Sequence, residues 1–255
     1  MEKQALLILG RWSVIKHIRY LGQRTAQYYK FRREFIRFKT LINSHRFPVE
    51  WTDRYPRMGE STSKSAFDRH YIYHTAWAAR VLARTRPSEH IDISSSLYFA
   101  AILSALIPIR YYDFRPPELQ LNNLSVDHAD LMALPFQDRS ISSLSSMHVV
   151  EHIGLGRYGG PLDPDGDLKA ISELKRVTAI GGDLIFVVPV GQPKLMFNAH
   201  RIYSYDQIIG YFKDFEMREF ALIPDEPKDG GLIPAPSRDL VNAQRYGCGC
   251  FWFRK

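Results

Sequence analysis

The chain is poor in cysteine. Its 255 residues include two, Cys248 and Cys250, one residue apart, which is too close for an ordinary structural disulfide and too few for a zinc site. A disulfide scaffold is excluded and a reducing, cytoplasmic setting is expected. Long apolar runs are missing as well. The stretch Ala5 to Leu9 is broken by Gly10 and Arg11 and carries no small-residue cleavage pattern, so it predicts neither a membrane span nor a secretory leader. Internal repeats and low-complexity segments are also lacking. Acidic residues are nearly absent from the first 46 positions: eleven of the 34 Lys and Arg lie there against only Glu2 and Glu34. The formal net charge of +7 therefore belongs to that segment, and the rest of the chain is close to neutral.

Within this basic segment, apolar residues recur at helical spacing. Leu7, Trp12, Ile15 and Ile18, then Tyr28, Phe31, Phe35 and Phe38, alternate with arginines and lysines, which predicts one or two basic amphipathic helices over residues 1–46. Such a surface suits peripheral contact with an anionic membrane, or packing on a neighbouring domain with a solvated basic face. Nucleic acid is not the expected partner. Pro48, Pro56 and Gly59 break up residues 47–65, a connection, and residues 66–255 form the main domain.

The main domain opens on a helical pattern from Phe67 to Arg84. Strand patterns follow at His90 to Ile93, Ile109 to Asp113, Leu124 to Ala129, Ile141 to Met147 and Leu184 to Pro189, with helices at Leu97 to Leu106 and Asp167 to Val177. A further helix is expected at Tyr205 to Phe212, and closing strands at Phe215 to Ile223 and Gly247 to Phe253. This alternation predicts an α/β fold, a doubly wound and mostly parallel sheet. In such sheets ligands lie beyond the carboxyl ends of the strands. Asp92, Asp113 and Asp130 fall at those ends. Asp113, about twenty residues after the first strand, has the spacing at which a carboxylate takes two ribose hydroxyls.

The passages Ala129-Asp130-Leu131-Met132-Ala133-Leu134-Pro135-Phe136, Met147-His148-Val149-Val150-Glu151-His152, Leu174-Lys175-Arg176-Val177 and Gly181-Gly182-Asp183-Leu184-Ile185 resemble the class I S-adenosylmethionine-dependent methyltransferases. The resemblance covers about Ile91 to Phe212 and implies a Rossmann-like fold that binds S-adenosylmethionine. The wider chain, through Phe67-Asp68-Arg69-His70-Tyr71-Ile72-Tyr73-His74, the loop Gly154 to Gly159, Asp163 to Asp167 and Asn198-Ala199-His200-Arg201, is similar to a poorly characterised branch of predicted methyltransferases associated with cell-surface glycan synthesis. That resemblance implies methyl transfer to an oxygen of a sugar or glycan precursor. Carried over by position, Asp92, Ser94, Ser95 and Ser96 would meet the methionine part of the cofactor. Asp113 would take the ribose, Asp130 and Leu131 the adenine, and the segment from Met147 to His152, with His148 among the cofactor contacts, the floor beside the methyl. The chain departs from the family pattern at Ser94 to Ser96, where a glycine-rich loop is usual, and at Ser142, where many relatives have Asp.

Methyl transfer to a hydroxyl needs an aligned displacement and a base. His152 and His200, in loops after the fourth and fifth strands, are the candidate bases, each with the alternative of a hydrogen-bonded structural role. Arg157 and Tyr158, in a glycine-rich loop, and Arg201 are candidates for holding the acceptor. Two other functions remain open. One is a non-catalytic member acting as a regulatory or membrane-surface scaffold in glycan assembly. The other, remote, is a zinc metallopeptidase using His148-x-x-Glu151-His152, which needs both histidines on one face of a sustained helix. Asp163, Asp165 and Asp167 resemble the start of a calcium loop, but Asp165 or Asp167 as a helix N-cap is the expected role.

Overall fold

The computed structural model describes the backbone of residues 2–42 and 46–255 and the side chains of residues 20–42 and 46–255. Two compact units result, Met1–Ala66 and Phe67–Lys255. The first holds one helix, α1 (Glu2–Leu41), and a short 3-10 turn at Trp51–Asp53. Its basic residues are interspersed with Tyr20, Leu21, Tyr29, Ile36 and Phe38, all exposed. Trp51 packs edge-on against Phe35, ring centroids 5.0 Å apart, and lies 6.1 Å from Phe31. Leu7, Trp12, Ile15 and Ile18 lie outside the residues whose side chains are described. Among the described residues no helix is long and apolar enough to cross a membrane.

The second unit runs α2 (Arg69–Thr85), β1 (His90–Ile93), α3 (Leu97–Leu103), β2 (Ile109–Asp113), β3 (Leu124–His128), β4 (Ile141–Met147), α4 (Gly166–Val177) and β5 (Thr178–Val190). It continues with β6 (Lys194–Met196), β7 (His200–Ile202), α5 (Tyr205–Tyr211), β8 (Glu216–Ile223), β9 (Ile233–Pro234), α6 (Arg238–Asn242) and β10 (Gly247–Arg254). Strand order in the main sheet is β3-β2-β1-β4-β5-β10-β8-β9. The first five strands are mutually parallel, and β10 inserts antiparallel between β5 and β8. The fold is thus a Rossmann-like α/β sheet wound on both faces, with the strand order reversing direction at β1 and β4.

Strand alternation builds the two layers. Leu184, Phe186 and Val188 of β5, with Phe251 and Phe253 of β10, bury against α4 and α5. Ile185 and Val187, with Cys248 and Cys250, face Trp77, Val81 and Leu82 of α2 and Phe99 of α3. That second layer also buries polar groups. The His90 ring spans Ser143 at 2.8 Å and Ser145 at 2.9 Å, and the Ser145 hydroxyl donates to Asp92 at 2.5 Å. Burial lowers the His90 pKa to about 3. It raises that of Asp92 to about 7 against the hydrogen bonds of Ser145 and Ser95.

Local chemistry sets the boundaries. The Asp68 carboxylate caps α2 by accepting from the Tyr71 N–H at 3.1 Å. Ser204 and Gln207 form a capping box on α5. Asp165 occupies the N-cap position of α4 but makes no side-chain capping bond. The neighbouring Asp163 accepts the Asp165 N–H instead, at 3.0 Å. Asp167 turns inward to Arg201, Nε 3.4 Å away, and to the Tyr203 hydroxyl at 2.9 Å. The hairpin of β6 and β7 and the short α6 have no counterpart in the sequence pattern, because three- to five-residue elements carry too little periodicity.

Candidate functional site

The carboxyl ends of β1 to β4 surround a cavity of about 240 Å³. Ser94 enters it directly after β1, Asp113 from the end of β2, Asp130 and Leu131 after β3, and His148 after β4. Phe114, Leu131 and Met132 supply apolar wall. Asp113 accepts from the Arg115 N–H at 2.7 Å and from the Tyr111 hydroxyl at 3.2 Å. These bonds fix the carboxylate while leaving it acceptor capacity, since an ionised carboxylate offers about four lone-pair sites. Asp130 closes an Asx turn by accepting from the Met132 N–H at 2.9 Å. Ser94 has φ of +53°, the left-handed conformation that favours glycine. Its hydroxyl donates to the Tyr112 carbonyl at 3.1 Å.

A second cavity of about 560 Å³ adjoins the first. Tyr71, His148, His152, Arg157 and Tyr158 line both, so these five side chains form the shared wall. Its far side carries Phe67, His70, Asp225, Arg245 and Tyr246. The His152 Nδ1 lies 2.6 Å from the Ala199 carbonyl and therefore carries its hydrogen toward that oxygen, which leaves the lone pair on Nε2. Burial, the largest influence, lowers the His152 pKa against the raising effect of Glu151. The ring is accordingly a neutral base near pH 7. Arg157 donates to the Ala199 carbonyl at 3.1 Å, and its Nη1 stands 3.3 Å from His152 Nε2, so the guanidinium must move aside before that nitrogen can meet an acceptor hydroxyl. The guanidinium groups of Arg115 and Arg157 flank the Tyr158 ring at 4.7 and 5.0 Å.

Eight of the site residues predicted from the sequence line the first cavity: Ser94, Asp113, Asp130, Leu131, His148, His152, Arg157 and Tyr158. Five do not. Asp92 is fully buried on Ser145, one layer beneath. Ser95 accepts the Met147 N–H at 3.1 Å and ties β1 to β4. Ser96 sits at the N-cap position of α3 without a side-chain bond. Arg201 is buried, donating to the Ile153 and Pro164 carbonyls at 2.6 and 3.0 Å beside Asp167, which makes it the post that anchors the loop after β4. His200 lies outside both cavities, its ring 4.7 Å from Tyr246 and 6.4 Å from His152.

The metallopeptidase arrangement is absent. Only a three-residue 3-10 turn, Val150–His152, follows His148, so no helix presents the two histidines on one face. Gly154 explains the ending: it has φ of +80°, and an added Cβ would lie 2.0 Å from the Asp163 carbonyl oxygen. Glu151, between the histidines, is fully buried with Oε1 2.8 Å from His148 Nδ1. Tyr71, Phe114, Arg115 and Met132 also line the first cavity, although no sequence pattern assigns them a role. Tyr71 and Met132 lie in passages that carry the family resemblance, the signal that could have found them.

The order of the parallel strands, the reversed β10 inserted beside β5 and the cavity at the switch in strand order match the fold of the class I S-adenosylmethionine-dependent methyltransferases. A solved protein of Galdieria sulphuraria, assigned as a sarcosine dimethylglycine methyltransferase, shares this fold with a TM-score of 0.50 at 15% identity, over 71% of this chain and 84% of its own. A methyltransferase assignment from Bacillus halodurans aligns over 71% of this chain and 98% of its own, at 14% identity and a TM-score of 0.49. A family described as a Caenorhabditis protein of unknown function, DUF268, matches residues 124–221. No curated protein sequence matches the chain.

Proposed function

We propose that the chain transfers a methyl group from S-adenosylmethionine to an oxygen of a sugar or glycan precursor. The observation that carries this reading is the pair of adjoining cavities with a common wall: one bordered by the Asp113 and Asp130 carboxylates, the other by aromatic and charged side chains. Two substrates that exchange a small group must bring their reacting atoms into contact, and the five side chains common to both cavities mark where that contact would fall.

The residues of the first cavity fit the cofactor by chemistry. Asp113 is held by two donors and retains acceptors for ribose hydroxyls. Asp130 and the apolar Leu131 and Met132 suit an adenine ring, which has an exocyclic amine and flat apolar faces. Asp92, Ser95 and Ser96 point elsewhere, so Ser94 alone of the serine loop would border the methionine end, its hydroxyl turned back onto Tyr112. Bound there, S-adenosylmethionine supplies an electrophilic methyl on a sulfonium.

In the second cavity Tyr71, Tyr158 and Tyr246 offer flat faces for sugar rings, and acidic and basic groups alternate among them as hydrogen-bond partners for hydroxyls. Arg157, beside Tyr158, and Arg245 add positive charge for a phosphate or carboxylate on the precursor. His152 Nε2 would take the proton of the acceptor hydroxyl as the oxygen–carbon bond forms and the carbon–sulfur bond breaks to release S-adenosylhomocysteine, and the Ala199 carbonyl would hold the imidazolium through Nδ1–H. The test is titration with S-adenosylhomocysteine followed by turnover on sugar acceptors. Saturable binding that Asp113→Ala weakens at least about tenfold, the loss of one good charged hydrogen bond, is expected. A folded chain that binds neither form of the cofactor would refute the reading.

A further inference from the structure

Behind the shared wall, three elements far apart in sequence bring metal-ligating groups together. His70 comes from the first turn of α2, His148 follows β4, and Cys248 lies near the start of β10. One ligand atom from each falls within 4.8 Å of the other two. We propose that His70, His148 and Cys248 form a binding site for one zinc ion, with Glu151 as the carboxylate that orients His148.

The second observation is the state of His148 and Glu151. His148 is 7% exposed, and its Nε2 is buried without a hydrogen-bond partner. Its Nδ1 meets Glu151 Oε1 at 2.8 Å. An imidazole that donates one N–H to a carboxylate and directs its other nitrogen at nothing has the arrangement of a metal ligand with its supporting acid. Glu151 is itself fully buried with Oε2 unpartnered. Among the described residues its ion-pair partners are only His148 and His152. A buried carboxylate facing no permanent cation is costly, and a divalent ion one residue away would offset that cost. His148 also has φ of +59°, a conformation that a non-glycine residue keeps only where its surroundings require it.

The donor set selects the metal. Two imidazoles and a thiolate suit zinc and exclude magnesium and calcium, which take oxygen ligands. In a filled tetrahedral site the ligand atoms would stand roughly 3.4–3.7 Å apart, so closure asks for about 1 Å of side-chain movement. The His70 ring packs 5.4 Å from His148 and 5.2 Å from Tyr246, so the movement includes a turn of that ring to aim its nitrogen at the ion. Three protein ligands leave a fourth position, the pattern of catalytic rather than structural zinc. Both histidines border the second cavity. If that cavity takes the hydroxyl acceptor, a use that rests on the methyl-transfer reading, the ion would polarise the acceptor oxygen and lower its pKa.

The test uses the full chain, freed of metal with a chelator, and needs neither cofactor nor acceptor. Zinc titration should saturate at one equivalent, and cobalt should give the visible bands of tetrahedral coordination with a thiolate-to-cobalt band in the near ultraviolet. Cys248→Ser should abolish the thiolate band, His70→Ala should weaken zinc at least about 100-fold, and Glu151→Gln by about 10- to 100-fold. Cys250→Ser should leave both unchanged. His70 is only half-buried, so His70→Ala keeps the test valid even if Cys248→Ser fails to fold. Absence of saturable zinc or cobalt binding by the folded chain, or a thiolate band that survives Cys248→Ser, would overturn the site. S-adenosylhomocysteine titrated into the same metal-free sample reports on the methyl-transfer reading separately.

Discussion

Asp92→Asn should make the protein more stable, and increasingly so as pH rises. Asp92 has no exposed surface, one oxygen bonded to Ser145 and the other without a partner. Burial raises its pKa from the ordinary 3.8 to about 7. Below pH 3.8 both folded and unfolded chains are protonated there and the group carries no penalty. Between 3.8 and 7 the unfolded chain loses this proton first, so folding stability falls with each pH step, and above 7 the loss reaches its full size. A displacement of that extent corresponds to at most about 4 kcal/mol, at about 1.4 kcal/mol per pH unit. Asparagine stays neutral, keeps an acceptor for Ser145 and places its amide near the Ser95 hydroxyl. Urea unfolding of wild type and Asp92→Asn at pH 5 and pH 8 measures the effect. The difference between the two proteins, in which the titration of His74 and His90 largely cancels, should favour the variant by about 2–4 kcal/mol more at pH 8 than at pH 5. A pH-independent difference, or a variant that is less stable at pH 8, would refute the reasoning.

His152→Ala should lower kcat by about 10²- to 10⁴-fold, the usual contribution of a general base, with S-adenosylhomocysteine affinity unchanged in calorimetry. Normal turnover would remove His152 from the reaction. Arg201→Ala should leave Asp167 buried without its cation and release the Ile153 and Pro164 carbonyls, costing about 3–5 kcal/mol. A thermal melt would show a fall of roughly 10 °C, and limited proteolysis should cut the loop at 154–165. Ser94→Gly relieves a left-handed serine worth about 1 kcal/mol and gives up a hydrogen bond of similar worth. Stability should stay within about 1 kcal/mol, and cofactor affinity should hold or improve. A tenfold loss in binding would mean that the hydroxyl itself touches the ligand.

Much of the scaffold was legible in local sequence because its strands are strongly patterned. Ile91 and Ile93 on one face with His90 and Asp92 on the other, or Leu184, Phe186 and Val188 alternating with Ile185 and Val187, mark strands without reference to distant residues. Helix α3 is shorter than its apolar pattern to Leu106 predicts. It ends at Leu103, and just past it the Ser104 hydroxyl donates to the Ala101 carbonyl at 2.8 Å. Strand ends, and with them Asp113, Asp130 and His148, were placed by the same alternation.

What local pattern cannot supply is depth. Asp92 and Asp113 both sit at strand ends, yet one lies beneath the sheet surface among serines and the other opens on a cavity. The two carboxylates share the face covered by α2 and α3, since Asp92 pairs with Tyr111, and Asp113 stands two residues nearer the carboxyl edge of the sheet, where the cavity opens. Arg201 and Arg157 likewise share a residue type but divide into a buried post and a cavity wall. The sequence by itself determined a doubly wound sheet with carboxylates at its strand ends, since side-chain alternation and helical spacing are properties of neighbouring residues. Only the tertiary structure decided which of those groups share a cavity. It alone brought His70, His148 and Cys248 together, because that meeting depends on β10 folding back beside β5 beneath the first turn of α2, a contact no local pattern encodes.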